Sequence, residues 1–404
     1  MNGGKDVPAA EPEAMSAAGS ETIPAAKSEE APAAAESETA PAAAAESETT
    51  PAAESEAAQA AAAQPVANAM KHYLPSFGYL RITACLAIVL LHNLFAAGVY
   101  YKDTITQHET LYSAIGEHLL MWAVPCFLMV TGALLLDPAR EVSFRKLTGK
   151  YLRRMVEALI LFTFVFQICD YIVGENKTIL RGGLKDLVFG QSWAHLWYLY
   201  LMIGLYLMMP FYKVITRYLS DEMVQFLIVL YLIFTAAIPT LQSFGLPVAF
   251  YIPTTIVYPV YLFLGYEIHR HGMGKFLSWF LFLGCGAVLV VLSFLRYSGV
   301  AYTEGLDDLF GYSSLLVVGQ SCGMFGIFDG IRTKKCPAVI RNLDHCTFGI
   351  YLIHMIFIHW VMKWQGIDPF QYGAWFFAAV SVAFFLISWA ITAVLRKIPK
   401  FDIL

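Results

Sequence analysis

The chain has 404 residues, of which 58% are hydrophobic, 15% aromatic and only 14% charged, and its mean hydropathy is positive; this excludes a soluble enzyme of two or three domains and indicates an integral membrane protein. The formal charge of −4 is unevenly spread, because the first 66 residues carry 12 acidic side chains against Lys5 and Lys27, which leaves +6 for the remainder. No nucleic-acid partner is implied by this balance.

Residues 1–70 form an Ala/Pro/Glu/Ser/Thr-rich segment in which "ESETAP" at 36–41 nearly recurs as "ESETTP" at 46–51. Such a stretch cannot bury enough apolar surface to offset the entropy of ordering it, so a disordered cytoplasmic tail is expected. It lacks the basic flank and apolar core of a signal peptide. Residues 71–404 then form one polytopic membrane domain.

Crossing the hydrocarbon core takes about 20 mostly apolar helical residues, and polar interruptions divide the membrane part into about ten such windows. They fall near 77–100, 112–136, 152–173, 193–215, 222–241, 249–269, 275–296, 306–329, 344–364 and 372–395. With the N-terminus inside, 19 Lys and Arg residues fall on cytoplasmic ends and 6 on external ones. The expected fold class is therefore an all-α integral membrane protein of about ten helices with both termini cytoplasmic. The seven cysteines show no metal-ligand spacing and read as small buried hydrophobes; no metal is expected.

The first window, "LRITACLAIVLLHN", opens with Arg81 and carries His92 eleven positions on. Eleven steps of 100° bring both side chains to nearly the same helix face, with His92 about 16 Å deeper. Ionisable groups at that depth are costly and usually face a cavity or a partner.

The opening "YLRITACLAIVLLH" resembles the first helix of the membrane-bound acyltransferase 3 family, which an Arg and a His mark at this spacing. Further pieces resemble the family in order: "VPCFLMVTGALLL" (124–136), "FRKLTGKYLRRM" (144–155), "HLWYLYLMIGLYLMMP" (195–210), "YLFLGY" (261–266) and "TFGIYLIH" (347–354). One departure stands in the third helix, where the family's Arg-x-x-Arg reads Lys150-x-x-Arg153 followed by Arg154, and lysine keeps the charge but loses the bidentate fork. Glu157 is an i,i+4 partner for Arg153.

The resemblance implies transfer of an acyl group, commonly acetyl, from acyl-CoA as co-substrate to a hydroxyl of a cell-surface glycan or related acceptor, in a bacterial inner membrane. No permanently bound cofactor is implied. It makes His92 and Arg81 the candidate catalytic residues. Arg145, Lys146, Lys150, Arg153 and Arg154, at the cytoplasmic mouth, are candidates for the donor phosphates. His195, Trp197, Tyr198, Tyr351, His354, Glu117 and His118 are candidates for acceptor binding or cavity lining. A neutral His92 either takes the proton of an acceptor hydroxyl or is itself acylated first; the sequence leaves both open. Any step needing a soluble domain would fall to a partner enzyme on the external side. The alternative is a transporter or sensor of a small solute without covalent chemistry, against which stand the motif order and the lack of an internal repeat.

Overall fold

The computed structural model describes residues 73–140, 142–244, 257–298, 306–333, 335–399 and 403, and the tail expected at 1–70 lies outside them. The regular elements among the described residues are all helices, without a strand.

Nine helices among the described residues are long and apolar enough to cross a membrane: α1 Pro75–Tyr100, α2 Gln107–Leu135, α3 Phe144–Ile172, α5 Ala194–Tyr218, α6 Asp221–Ser243, α8 Lys275–Tyr297, α9 Leu306–Asp329, α10 Ala338–Trp364 and α11 Ala374–Leu395. The surface helix α4, Ile179–Phe189, and α7, Tyr258–His271, complete the set. The 14 residues of α7 rise about 21 Å, short of a bilayer core of about 30 Å. The window predicted at 249–269 thus begins in 245–256, outside the described residues.

Several helices outrun their apolar windows. The basic stretch before 152 enters its helix at Ser143, whose hydroxyl accepts from the Lys146 N–H at 3.2 Å, and the polar stretch before 344 enters its helix directly after Pro337. An apolar window does not detect α4, which is amphipathic: it turns Leu180, Leu184 and Val188 outward while Gly183 presses on the Phe164 ring of α3.

Packing inside a bilayer relies on close approach, since lipid tails are as apolar as leucine. The tightest pair is α2 with α7, through reciprocal glycines: a Cβ at Gly132 would strike the Leu262 backbone carbonyl, and one at Gly265 would strike that of Met129. Lys213 of α5 gathers the end of α2 by donating to the carbonyls of Leu135 (3.0 Å), Asp137 (3.3 Å) and Arg140 (2.7 Å), and the Thr216 hydroxyl donates to Leu136 (2.7 Å). These are the carbonyls that a helix terminus leaves without intrahelical donors. Outward faces are apolar, as with Phe276, Phe280 and Leu283 on α8. α1 lies inside, packed against α2, α10 and α11.

Candidate active site

α1 and α10 run side by side and are joined at two levels. Near one end, Arg81 forms a fork with Asp344: Nε to Oδ1 at 2.7 Å and Nη2 to Oδ2 at 2.7 Å. The Asp344 carboxylate is 1% exposed and also accepts from the Tyr73 hydroxyl at 2.9 Å, so its charge is fully answered. Burial, and then the adjacent carboxylate, push the Tyr73 phenol far above its usual range, which keeps it a donor. Arg81 keeps 23% exposure and lines a cavity between the helices.

Eleven residues further along α1, His92 meets His354 of α10, Nδ1 to Nε2 at 2.8 Å, with the rings nearly parallel. The tautomers follow from a carbonyl: His354 Nδ1 lies 3.1 Å from the Ile350 oxygen, which can only accept, so that nitrogen carries the proton. In neutral His354 the Nε2 lone pair then accepts from His92 Nδ1–H, and the lone pair of His92 is left on Nε2. His354 is fully buried while His92 keeps partial exposure, so the unshared pair sits on the accessible ring. His195, from the first turn of α5, completes the cluster, its ring centroid 6.2 Å from that of His92 and 5.8 Å from that of His354. Its ring nitrogens are buried without a hydrogen-bond partner among the described residues, and its backbone oxygen accepts from the Tyr351 hydroxyl.

Below the histidines lies a cavity of about 450 Å³. Its polar end is built by Arg81, Lys150, Arg154, His345 and Arg396, and its walls by apolar side chains such as Val124, Phe127, Met155 and Met202. A π-helical turn at Leu147–Leu152 lets α3 bring Lys150 and Arg154 to the same mouth. At the other end stand Ile88, Tyr198 and Tyr351. Each of these three lies on the same helix as one histidine, four residues from His92, three from His195 and three from His354, on the side facing Arg81. That is about 4.5 to 6 Å of helix rise, so the cavity closes one turn beneath the histidines without His92 itself lining it.

The other predicted residues are distributed as follows. Lys150 and Arg154 reach the cavity; Arg153 instead pairs with Glu157 at 2.6 Å on an exposed face, and Arg145 and Lys146 are exposed on the lead-in to α3. Trp197 packs between Tyr258 and Tyr312. His118 bonds Ser293 at 2.8 Å and stacks on Phe310 at 3.7 Å, which commits it to packing of α2 against α8 and α9. Glu117 is not among the residues lining the cavity. His359, set apart from His354 by its angle around the helix, is buried and stacked on Trp193 at 3.9 Å. Sequence reasoning missed Asp344, Arg396 and His345. Asp344 had a signal, lying ten residues before His354 much as Arg81 lies eleven before His92. No group of three His, Cys, Asp or Glu side chains among the described residues is arranged to hold a metal ion.

The described helices thus form a membrane bundle with a buried histidine pair one turn above a basic-mouthed cavity. Residues 74–393 match the family described as an acyltransferase domain, and the chain belongs to that membrane acyltransferase 3 family. It is a multi-pass membrane acyltransferase. Comparison with curated proteins and with solved structures gave no match.

Proposed function

We propose that this protein is an O-acyltransferase of a bacterial inner membrane, with both termini in the cytoplasm, that moves an acetyl or similar short acyl group from acyl-CoA to a hydroxyl of a cell-surface glycan or related acceptor. The observation that carries the reading is the alignment of the cavity with the histidines: cations at one end, an apolar shaft, and the His92 Nε2 lone pair one turn beyond the other end. Coenzyme A is anionic at its nucleotide end and slender along its pantetheine arm. Its phosphates suit Arg81, Lys150, Arg154 and Arg396, and its arm suits the shaft, which carries the thioester toward the histidines. The excess of Lys and Arg on the ends grouped with Arg81 supports a cytoplasmic mouth.

In this reading the acceptor oxygen adds to the thioester carbonyl carbon as His92 Nε2 takes the hydroxyl proton. The carbon–sulfur bond then breaks, and the proton passes from His92 to the departing thiolate. His354 acts through His92 by accepting from its Nδ1–H, which fixes the tautomer, in the way a carboxylate does in a serine hydrolase triad.

The test is radiolabelled acetyl-CoA presented to the protein in membranes that carry their native envelope glycans. Thiol release and label transfer are expected in the wild type and are expected to be lost in His92→Ala while coenzyme A binding is kept. A His92→Ala variant that turns over normally would remove the chemical role. Solute uptake without any thioester cleavage in the wild type would replace the reading with transport.

A further inference from the structure

Transfer from a thioester places negative charge on the carbonyl oxygen, and an enzyme gains most where a fixed donor already points at that oxygen. In the cavity, the cations all stand at the mouth: Arg81, Lys150, Arg154 and Arg396. Charge developing at the histidine end must therefore be met by neutral donors, and the lining offers five hydroxyls. Three are committed to backbone carbonyls: Thr131 to Phe127 at 2.9 Å, Thr347 to Asp344 at 2.8 Å, and Tyr351 to His195. The hydroxyls of Tyr198 and Tyr206 have no hydrogen-bond partner among the described residues. Tyr206 lies eight residues along α5 from Tyr198, about 12 Å nearer the mouth, with Met202 between them on the same face. Of these two, only Tyr198 stands at the histidine end, and its ring is fixed edge-on between Tyr351 at 5.6 Å and Trp197 at 6.2 Å.

We propose that the Tyr198 hydroxyl donates a hydrogen bond to the thioester carbonyl oxygen of the donor and stabilises the oxyanion that forms there, an inference that rests on the acyl-CoA reading above. Tyr198 keeps its proton throughout: the acceptor oxygen–carbon bond forms, the carbon–sulfur bond breaks, and the proton that moves is the one carried by His92. Tyr206, two turns nearer the mouth, is placed to donate to an amide of the pantetheine arm, a contact equal in the ground and transition states.

The experiment compares Tyr198→Phe and Tyr206→Phe with the wild type in lipid nanodiscs, measuring the rate of acetyl-CoA cleavage with membrane acceptor, coenzyme A affinity by calorimetry, and thermal stability. Phenylalanine keeps the ring packing, so both variants are expected to fold. Tyr198→Phe is expected to lower kcat by about 10²-fold or more, with donor affinity within about twofold of wild type. Tyr206→Phe is expected to raise the donor KM severalfold at unchanged kcat. An independent readout is the carbonyl stretch of bound acetyl-CoA carrying carbon-13 at the carbonyl, shifted to lower frequency in the wild type and back toward the free value in Tyr198→Phe. Wild-type kcat in Tyr198→Phe, or a rise in KM alone, overturns the inference even while His92→Ala is inactive. Absence of thioester cleavage in the wild type would instead overturn the functional reading beneath it.

Discussion

His354 offers the sharpest test of the histidine pair, because the role proposed for it is to accept one hydrogen bond rather than to touch substrate. In the wild type the Ile350 carbonyl fixes the His354 tautomer, and the 2.8 Å contact fixes that of His92. Replacing His354 by Leu leaves His92 Nδ1–H facing hydrocarbon. An orphaned donor of this kind costs about 1 to 3 kcal/mol. The imidazole escapes that cost by turning its ring or moving its proton to Nε2, and either change removes the lone pair that the base needs. At about 1.4 kcal/mol per factor of ten, kcat is expected to fall roughly 5-fold to 150-fold. His354→Gln offers an amide oxygen in place of the ring nitrogen and is expected to recover much of that loss. The assay is acetyl-CoA cleavage by membranes with matched amounts of folded protein, with coenzyme A affinity measured alongside. Equal rates for wild type and His354→Leu, or equal losses for Leu and Gln, would refute the tautomer argument.

Further outcomes are expected elsewhere in the bundle. Asp344→Ala strands the Arg81 guanidinium and is expected to cost about 3 kcal/mol, the low end for a buried pair because Arg81 is 23% exposed; thermal unfolding of the single and double alanine variants measures it, and the double variant should recover part of the loss. Lys150→Gln and Arg154→Gln, at the mouth, are each expected to weaken coenzyme A binding by about threefold to tenfold and to flatten its salt dependence, as read by calorimetry at two ionic strengths. Gly132→Val drives a side chain into the Leu262 backbone and is expected to abolish the folded fraction on size-exclusion chromatography, whereas Gly284→Ala, which meets open space, is expected to leave it unchanged.

How much of this was legible in the sequence depends on whether a property repeats along one helix or is shared between two. Nine of the ten apolar windows, which meet membrane-length helices among the described residues, the stripe of Arg81 and His92 and the basic lead-in to α3 are all properties of a single segment, and hydropathy or a 100° rotation exposes them. The surface helix α4 was invisible because its apolar side chains recur at four-residue steps over only 11 residues, too short for a membrane window. The partner of Arg81 was hidden for another reason: a buried aspartate near a helix start resembles an ordinary cap or loop residue until the facing helix is known. The same holds for His118, a candidate for acceptor binding or cavity lining, because Ser293 and Phe310, which engage it, come from helices much later in the chain.

The two contacts between α1 and α10 explain why spacing carried so much of the information. Arg81 and His92 are eleven residues apart, about 16 Å of rise, and Asp344 and His354 ten apart, about 15 Å, so the helices must lie parallel and in register for both pairs to close. The lower rung holds a guanidinium at the cavity mouth with its charge answered from one side. The upper rung holds an imidazole with its Nδ1 proton turned toward His354. Between them the distance is set by backbone geometry alone, independent of any loop. In the proposed acyl-CoA reaction, a donor whose phosphates met the lower rung would have its far end delivered to a fixed depth, and reach along the helix axis would itself select for a carrier arm of that length.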